Sequence, residues 1–234
     1  MAPGASYLRK YRVRLDKIRR LLIRFCVNNG RILDVGCGDG LTTNFLMDKL
    51  PMRVYGFEVD EKCAHEANKH FTCKVCDCGT DTFPFDDKFF DIIHAGEVVE
   101  HVLDTDHLIA ECKRTLKNDG VFIISTPNLA CWANRILLML GKQPFDSEVS
   151  HYECYGLIKT HKMSWEPVGH LRCFTQNALK ELLVAHDFEI LEIQGASSEV
   201  PFGIVRLIDK ICDKWLPSFA RKIIVACGKD ATTF

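Results

Sequence analysis

The sequence predicts an α/β fold in which helices cover both faces of a mostly parallel sheet. Short apolar runs alternate with longer amphipathic stretches, and the runs are nearly continuous, as in strands buried on both sides. A glycine-rich turn follows the first run, where a strand that leads into a helix can offer backbone N–H groups to a ligand. The predicted strands are 31–35, 53–57, 73–76, 90–94, 121–125, 188–194 and 221–227.

Helical spacing of apolar residues predicts the elements between these strands. The predicted helices are 41–50, 61–70, 104–117, 175–186 and 202–215. A further helix is expected within 126–141, opening after Pro127 with Asn128 as a possible N-cap. Residues 142–174 are irregular and rich in Pro, Gly, His and aromatic side chains. We therefore expect one domain, 1–234, with a loop-rich insert at 126–174 over the sheet.

Composition sets broad limits on function. The 234 residues are 47% hydrophobic and 26% charged, which suits one globular core, and the net charge of −1 gives no overall attraction to nucleic acid. No apolar run reaches the roughly 18 residues that a membrane span needs, and the start lacks the pattern of a signal peptide. A cytoplasmic location is the expectation.

The N-terminal 1–28 is expected to form a basic helix. Residues 1–24 contain eight Lys or Arg and one acid, Asp16. This pattern fits either a surface for an anionic substrate or membrane, or an ordinary amphipathic helix with a solvated cationic face. In the second interpretation the core side consists of Leu15, Ile18, Leu22 and Phe25.

Twelve cysteines raise the question of disulfides or metal. Cys73, Cys76 and Cys78 form C-x-x-C-x-C, but no second C-x-x-C or His pair at finger spacing completes a ligand set. A core of this size does not need disulfides. We expect reduced thiols.

The stretch ILDVGCGDG contains Gly36, Gly38 and Gly40 between a strand and a helix. Glycine lets the backbone turn tightly and approach a ligand. Leu41 stands where the nicotinamide fingerprint requires glycine. Glu58 ends the second strand, where an acid can accept hydrogen bonds from ribose hydroxyls, and Asp77 follows the third.

These residues belong to an ordered set of motifs: ILDVGCGDG, GFE, CDC, FPFDDKFFDII, EVVEHV and LKNDGVFIISTPN. From about residue 30 onward the chain resembles the class I S-adenosylmethionine-dependent methyltransferases. The resemblance implies a Rossmann-like seven-stranded sheet, mostly parallel, whose last strand is antiparallel and lies beside the sixth, with a lid insert after strand 5. It also implies that S-adenosylmethionine is the cofactor.

Site residues follow from the same resemblance. Asp34 would lie near the methionine amino group of the cofactor, and Gly36, Gly38 and Gly40 would line its amino-acid part. Glu58 would hold the ribose. Asp77 and Cys78 would meet the adenine.

The segment EVVEHV places Glu97, Glu100 and His101 on one face if it is helical. It resembles a divalent-metal motif of small-RNA 2′-O-methyltransferases and ubiquinone-pathway O-methyltransferases, with His170 as a candidate fourth ligand. Alternatively, His101 acts as a general base. In a third interpretation, Glu100 and His101 are structural.

Residues of the insert bear on the acceptor. The insert and GHLRCFT are similar to MetW-like methyltransferases, often associated with glycan and cell-surface biosynthesis, which favours O-methylation of a small-molecule, glycan or lipid-linked acceptor. One alternative is a metal-dependent methyltransferase of RNA 3′-terminal 2′-hydroxyls. Another is a cofactor-binding module without turnover.

Overall fold

The computed structural model describes residues 3–158, 166–197 and 203–230. Strands and helices alternate along these ranges as predicted. The strands are β1 Gly30–Val35, β2 Met52–Glu58, β3 Thr72–Val75, β4 Phe90–Gly96, β5 Leu116–Pro127, β6 Phe188–Ala196 and β7 Lys222–Lys229. The helices are α1 Pro3–Lys10, α2 Arg12–Phe25, α3 Leu41–Met47, α4 Glu61–Ala67, α5 Thr105–Thr115, α6 Trp132–Met139, α7 Gln176–Ala185 and α8 Gly203–Trp215.

The described strands form one sheet in the order β3-β2-β1-β4-β5-β7-β6. Pairing is parallel from β3 through β5, whereas β7 pairs antiparallel with both β5 and β6. The expected Rossmann-like sheet, with its last strand antiparallel beside the sixth, is therefore confirmed. The order reverses between β1 and β4, and open α/β sheets bind ligands at such a reversal.

Alternate residues of the strands face two separate core clusters. Leu33 and Ile93 belong to the cluster that includes α5 and α7, whereas Ile32 and Ile92 belong to the cluster that includes α2 and α3. The period of two sends neighbouring side chains to opposite faces, so both faces of the sheet are covered.

The N-terminal basic segment differs from the expected single helix. It is divided at Tyr11 into α1 and α2. Leu15, Ile18 and Leu22 are buried as predicted, and Phe25 packs against their cluster. Arg14 is buried as well, so the cationic face is not wholly solvated.

The prediction that Asn128 caps a helix was wrong. β5 continues to Pro127, and α6 begins at Trp132 after its cap residue Cys131. The Asn128 amide instead donates to the carbonyls of Ser218 and Ala220, which ties the start of the insert to the segment before β7.

Two other findings concern expectations from composition. None of the helices in the described ranges is long and apolar enough to cross a membrane. Among the described residues no disulfide is present, and the Sγ atoms of Cys37 and Cys73 lie 3.5 Å apart.

Candidate functional site

The glycine turn after β1 lies at the carboxyl edge of the sheet. Gly36, Gly38 and Gly40 have φ of 64°, 56° and 82°, the left-handed region that disfavours other residues. A Cβ on Gly40 would lie 3.0 Å from the Cα of Ala67, so this glycine permits close packing of α3 on α4. A Cβ on Gly38 would meet no atom within 4 Å, so its space is open to a ligand.

Asp34, at the end of β1, is buried and already engaged. Its Oδ2 accepts a hydrogen bond from Thr43 Oγ1, and its Oδ1 lies 2.6 Å from His94 Nδ1. Because Thr43 is on α3 and His94 on β4, the carboxylate fixes the turn against both neighbours.

Glu58, at the end of β2, closes the other side of the turn. Its Oε2 accepts from the Gly38 N–H at 2.9 Å, and its Oε1 accepts from the Val59 N–H at 2.9 Å. The Asp60 N–H donates a third, longer bond at 3.3 Å, so about one of the roughly four acceptor positions of the carboxylate remains for a ligand's hydroxyl group.

Three cavities open at this edge. The first, of about 430 Å³, brings together six of the predicted site residues: Gly36, Glu58, Asp77, Cys78, Glu97 and His101. Asp77 Oδ1 accepts from the Gly79 N–H at 2.8 Å, which shapes the loop that forms the far wall.

The second cavity, of about 230 Å³, is lined by Asp34, Gly36 and Gly38 together with Arg14 and His94. Arg14 Nε and His94 Nε2 are buried and have no hydrogen-bond partner among the described residues. A buried guanidinium with an unused donor suits an anionic ligand group. Motif reasoning missed Arg14, and its only sequence signal was a position beside the apolar face of α2.

The third cavity, of about 370 Å³, lies under the insert. Its walls come from the N-terminal helices, including Tyr7 and Tyr11, from Glu100, and from residues 144–157 of the insert. Lys222 of β7 also lines it. Tyr7, Tyr11 and Lys222 were not predicted, because they are distant in sequence and belong to no motif.

Glu97 lines all three cavities. It follows β4 in a left-handed conformation, φ 59°, so EVVEHV begins as a sharp turn and continues as a short 3₁₀ segment over Val99–His101 rather than as an α-helix. Its carboxylate pairs with Arg14 Nη1 at 2.9 Å and with Lys222 Nζ at 2.7 Å. Burial opposes ionisation, but these two cations outweigh it and lower the pKa of Glu97 well below its ordinary value.

Glu100 is 1% exposed. Its Oε2 accepts from Thr126 Oγ1 at 3.0 Å, whereas its buried Oε1 has no hydrogen-bond partner in the described structure. Burial, with the nearby charge of Glu97, raises the pKa of Glu100 well above its ordinary value and favours the protonated carboxyl.

His101 is oriented by the loop that carries His170. Its Nδ1 lies 3.0 Å from the carbonyl of Gly169, and His170 Nδ1 lies 3.0 Å from that of Asp146. A carbonyl only accepts, so each Nδ1 carries the proton and each Nε2 retains its lone pair. Burial lowers the pKa of His101, which favours the neutral ring.

Glu148 of the insert holds that loop. Its carboxylate accepts from the N–H groups of Val168 at 2.7 Å, Gly169 at 2.9 Å and His170 at 3.3 Å. The position of His101 therefore depends on the insert as well as on the end of β4.

Of the four residues predicted as metal ligands, the structure groups three. One donor atom each from Glu100, His101 and His170 lie within 4.8 Å of one another. Glu97 stands apart from this group because Arg14 and Lys222 engage its carboxylate.

The fold, the glycine turn and the acids at successive strand ends define the class: an S-adenosylmethionine-dependent methyltransferase. The family model described as "Methyltransferase domain" matches residues 7–193, and the chain belongs to this family.

Relatives agree with this assignment. A Mycolicibacterium smegmatis protein named "Probable S-adenosylmethionine-dependent methyltransferase" is 29% identical over 76% of this chain and 69% of its own length. The ubiquinone biosynthesis O-methyltransferase of Bradyrhizobium diazoefficiens is 31% identical over 50% of this chain and 47% of its own, so the match spans about half of that relative. A crystal structure of a methyltransferase from Archaeoglobus fulgidus, at 16% identity, covers 95% of this chain and 98% of its own with a TM-score of 0.62, which shows the shared fold.

Proposed function

We propose that the protein transfers a methyl group from S-adenosylmethionine to a hydroxyl of a small-molecule, glycan or lipid-linked acceptor. One observation carries the proposal: the three cavities meet at Glu97, and His101 lines both the first and the third. A cofactor that fills the first and second cavities would present its sulfonium methyl at this junction, facing an acceptor in the third.

The cofactor roles follow from this placement. Asp77 and Cys78 would meet the adenine, and Glu58 the ribose hydroxyls. In the second cavity, Asp34, Gly36 and Gly38 would surround the amino-acid part, with Arg14 near its carboxylate, whereas Gly40 does not line this cavity and packs against Ala67. Because Arg14 is buried beside the glycine turn with an unused Nε, its charge supports this role.

The chemistry is an in-line displacement. S-adenosylmethionine would supply the methyl group: its bond between carbon and sulfur would break as the bond to the acceptor oxygen formed, leaving S-adenosylhomocysteine. The hydroxyl proton passes to His101 Nε2, which becomes imidazolium. A lowered pKa keeps this ring neutral and ready to accept the proton, and such a base typically contributes about 10²- to 10⁴-fold in rate.

The relatives support an oxygen acceptor, since one named group acts in ubiquinone biosynthesis as O-methyltransferases. Within this proposal the insert 126–174 acts as the lid of the acceptor cavity in a single domain.

A divalent ion at Glu100, His101 and His170 is a second way to activate the hydroxyl. The donor set fits, because Glu100 has a buried oxygen without a partner and each histidine presents an Nε2 lone pair. Two imidazoles and one carboxylate suit Mn²⁺, Fe²⁺ or Zn²⁺. Such an ion would lower the pKa of a bound hydroxyl.

The proposal is tested by incubating the protein and labelled S-adenosylmethionine with an extract of its source cell, then separating RNA, lipid and aqueous small-molecule fractions. We expect label in the lipid or small-molecule fraction. Label that RNase removes would overturn the acceptor assignment in favour of RNA. Tight cofactor binding with no labelled product in any fraction would identify a binding module without turnover.

The metal is tested separately with a chelator. Loss of transfer in the chelator, restored by Mn²⁺ in the wild type but not in His170→Gln, would assign Glu100, His101 and His170 as ligands. A rate of methyl transfer that the chelator does not change would leave His101 as a base acting alone.

A further inference from the structure

Helix α8 has an inverted polarity. Its acids face the protein: Asp209 is buried and pairs with Arg221 at 3.1 Å, and Asp213 accepts from Ser197 Oγ at 2.7 Å. Four of its apolar residues face outward, with Ile204 74% exposed, Leu207 58%, Ile211 46% and Trp215 69%, whereas Val205 and Ile208 are half-buried and Cys212 is buried. An ordinary surface helix of a globular protein shows the opposite arrangement.

The apolar residues form one continuous stripe. Positions 204, 207, 211 and 215 recur at spacings of three and four, so they share a helical face. Arg206, Lys210 and Lys214 recur at spacings of four and lie exposed along one side of it. We call these seven residues the outer face of α8.

The outer face has positive charge without a compensating acid of its own helix, because Asp209 and Asp213 point inward. Lys214 Nζ lies 4.7 Å from the ring centre of Trp215, so cation and aromatic ring are adjacent. Apolar side chains, a terminal Trp and flanking bases are the composition of a helix that lies in the plane of an anionic lipid surface.

Helix α6 contacts α8 and carries exposed apolar side chains of its own. Trp132 Nε1 donates to Asp209 Oδ1 at 2.7 Å, which joins α6 to α8. The exposed Met139 and Leu140 end α6, and the chain then passes within a few residues to Pro144, which lines the cavity.

We propose that the outer face of α8 docks the enzyme on a membrane containing anionic lipids. The apolar stripe would enter the level of the headgroups, and Arg206, Lys210 and Lys214 would lie among the lipid phosphates. Docking brings the acceptor cavity to the lipid surface, so the acceptor is a lipid-linked molecule; this last step rests on the proposed function.

The test is cosedimentation of the full chain with vesicles of phosphatidylcholine alone and of phosphatidylcholine mixed with phosphatidylglycerol, at low and high salt. We expect binding to the mixed vesicles that high salt weakens. Lys210→Gln and Lys214→Gln should each lower the partition coefficient about fivefold, as for a base near an anionic surface. Leu207→Glu should abolish binding.

Val184→Glu is the matched control. Val184 is an exposed apolar residue on α7, whose buried Leu179 and Leu183 pack in the core cluster opposite α2. This variant should bind vesicles as the wild type does. Cofactor affinity of each variant, measured without vesicles, verifies that the fold and the cofactor site are intact.

Three results would overturn the proposal. The first is a wild type that remains in the supernatant with mixed vesicles at low salt, and the second is a Leu207→Glu variant that binds these vesicles as strongly as the wild type. The third is a wild-type dimer, seen by sedimentation without vesicles, that Leu207→Glu dissociates, since the outer face would then join two copies of the chain. None of these results depends on methyl transfer, so failure of docking and failure of the proposed function are distinguishable.

Discussion

Glu97 lies where three distant parts of the chain meet. It follows β4, Arg14 comes from α2 and Lys222 from β7, and the two cations reach its carboxylate at 2.9 and 2.7 Å. The motif EVVEHV marks this glutamate as a functional candidate, but no sequence spacing indicates its partners. Sequence reasoning grouped Glu97 with Glu100 and His101. In the structure its backbone is left-handed, and its side chain lies with Arg14 and Lys222 instead.

Glu97→Gln should reduce the free energy of unfolding by about 3–5 kcal/mol, because it leaves two buried cations without their shared carboxylate. Urea unfolding at neutral pH measures this loss. Glu192→Gln is the control, since Glu192 pairs with Arg24 at the surface and such pairs contribute about 1 kcal/mol or less. Equal losses in the two variants would contradict the role of Glu97 as the centre of the cluster.

His101→Gln should lower the rate of methyl transfer by about 10²- to 10⁴-fold, while the affinity for S-adenosylmethionine remains near that of the wild type. The Gln amide can still donate to the Gly169 carbonyl, so the loss isolates the proton acceptor. His186→Gln is the control: it removes a histidine that pairs with Asp106 at the surface, and it should leave the rate of methyl transfer unchanged. Undiminished transfer by His101→Gln would exclude His101 as the base.

At the level of elements, the turn between β1 and α3 determines how closely the cofactor approaches. The string ILDVGCGDG predicted this turn, because three glycines between a strand and a helix permit left-handed backbone. The structure adds that they are not equivalent: Gly40 is confined by Ala67, whereas Gly38 faces open space.

Gly38→Ala should weaken S-adenosylmethionine binding about tenfold or more, equivalent to about 1.4 kcal/mol, because the new methyl group occupies ligand space. Gly141→Ala is the matched control, with φ of 66° and open surroundings but no place in the three cavities. Each substitution should cost about 1–2 kcal/mol of stability for its left-handed backbone. Titration calorimetry would contradict the placement if both variants bound the cofactor equally.

Glu148→Gln tests the insert. A neutral amide accepts the N–H groups of Val168, Gly169 and His170 more weakly than a carboxylate, so the support of His101 loosens. We expect slower methyl transfer with cofactor affinity preserved, and easier proteolysis near residue 169. Glu189→Gln, an exposed substitution on β6, provides the comparison. A change confined to cofactor affinity would contradict this role.

At the scale of the whole molecule, local pattern predicted most of the sheet. The strand predictions needed only runs of apolar residues, and the structure extends several of them at their ends. Asn128 was wrongly assigned to a helix cap, because its actual partners, Ser218 and Ala220, are distant in sequence and no local pattern indicates them. The cofactor motifs were visible in the sequence because each is a contiguous stretch. Arg14, Lys222 and Tyr7 became candidates only in the folded structure, because residues distant in sequence line the same cavities.

We expect the transferred methyl group to lie where the three cavities meet. A crystal structure of the protein with S-adenosylmethionine tests it most directly. We predict adenine beside Asp77 and Cys78, the carboxylate near Arg14, and the sulfonium methyl directed past Glu97 toward His101. An adenosine outside the first cavity, or a methyl group directed away from the third, would contradict this placement of the cofactor.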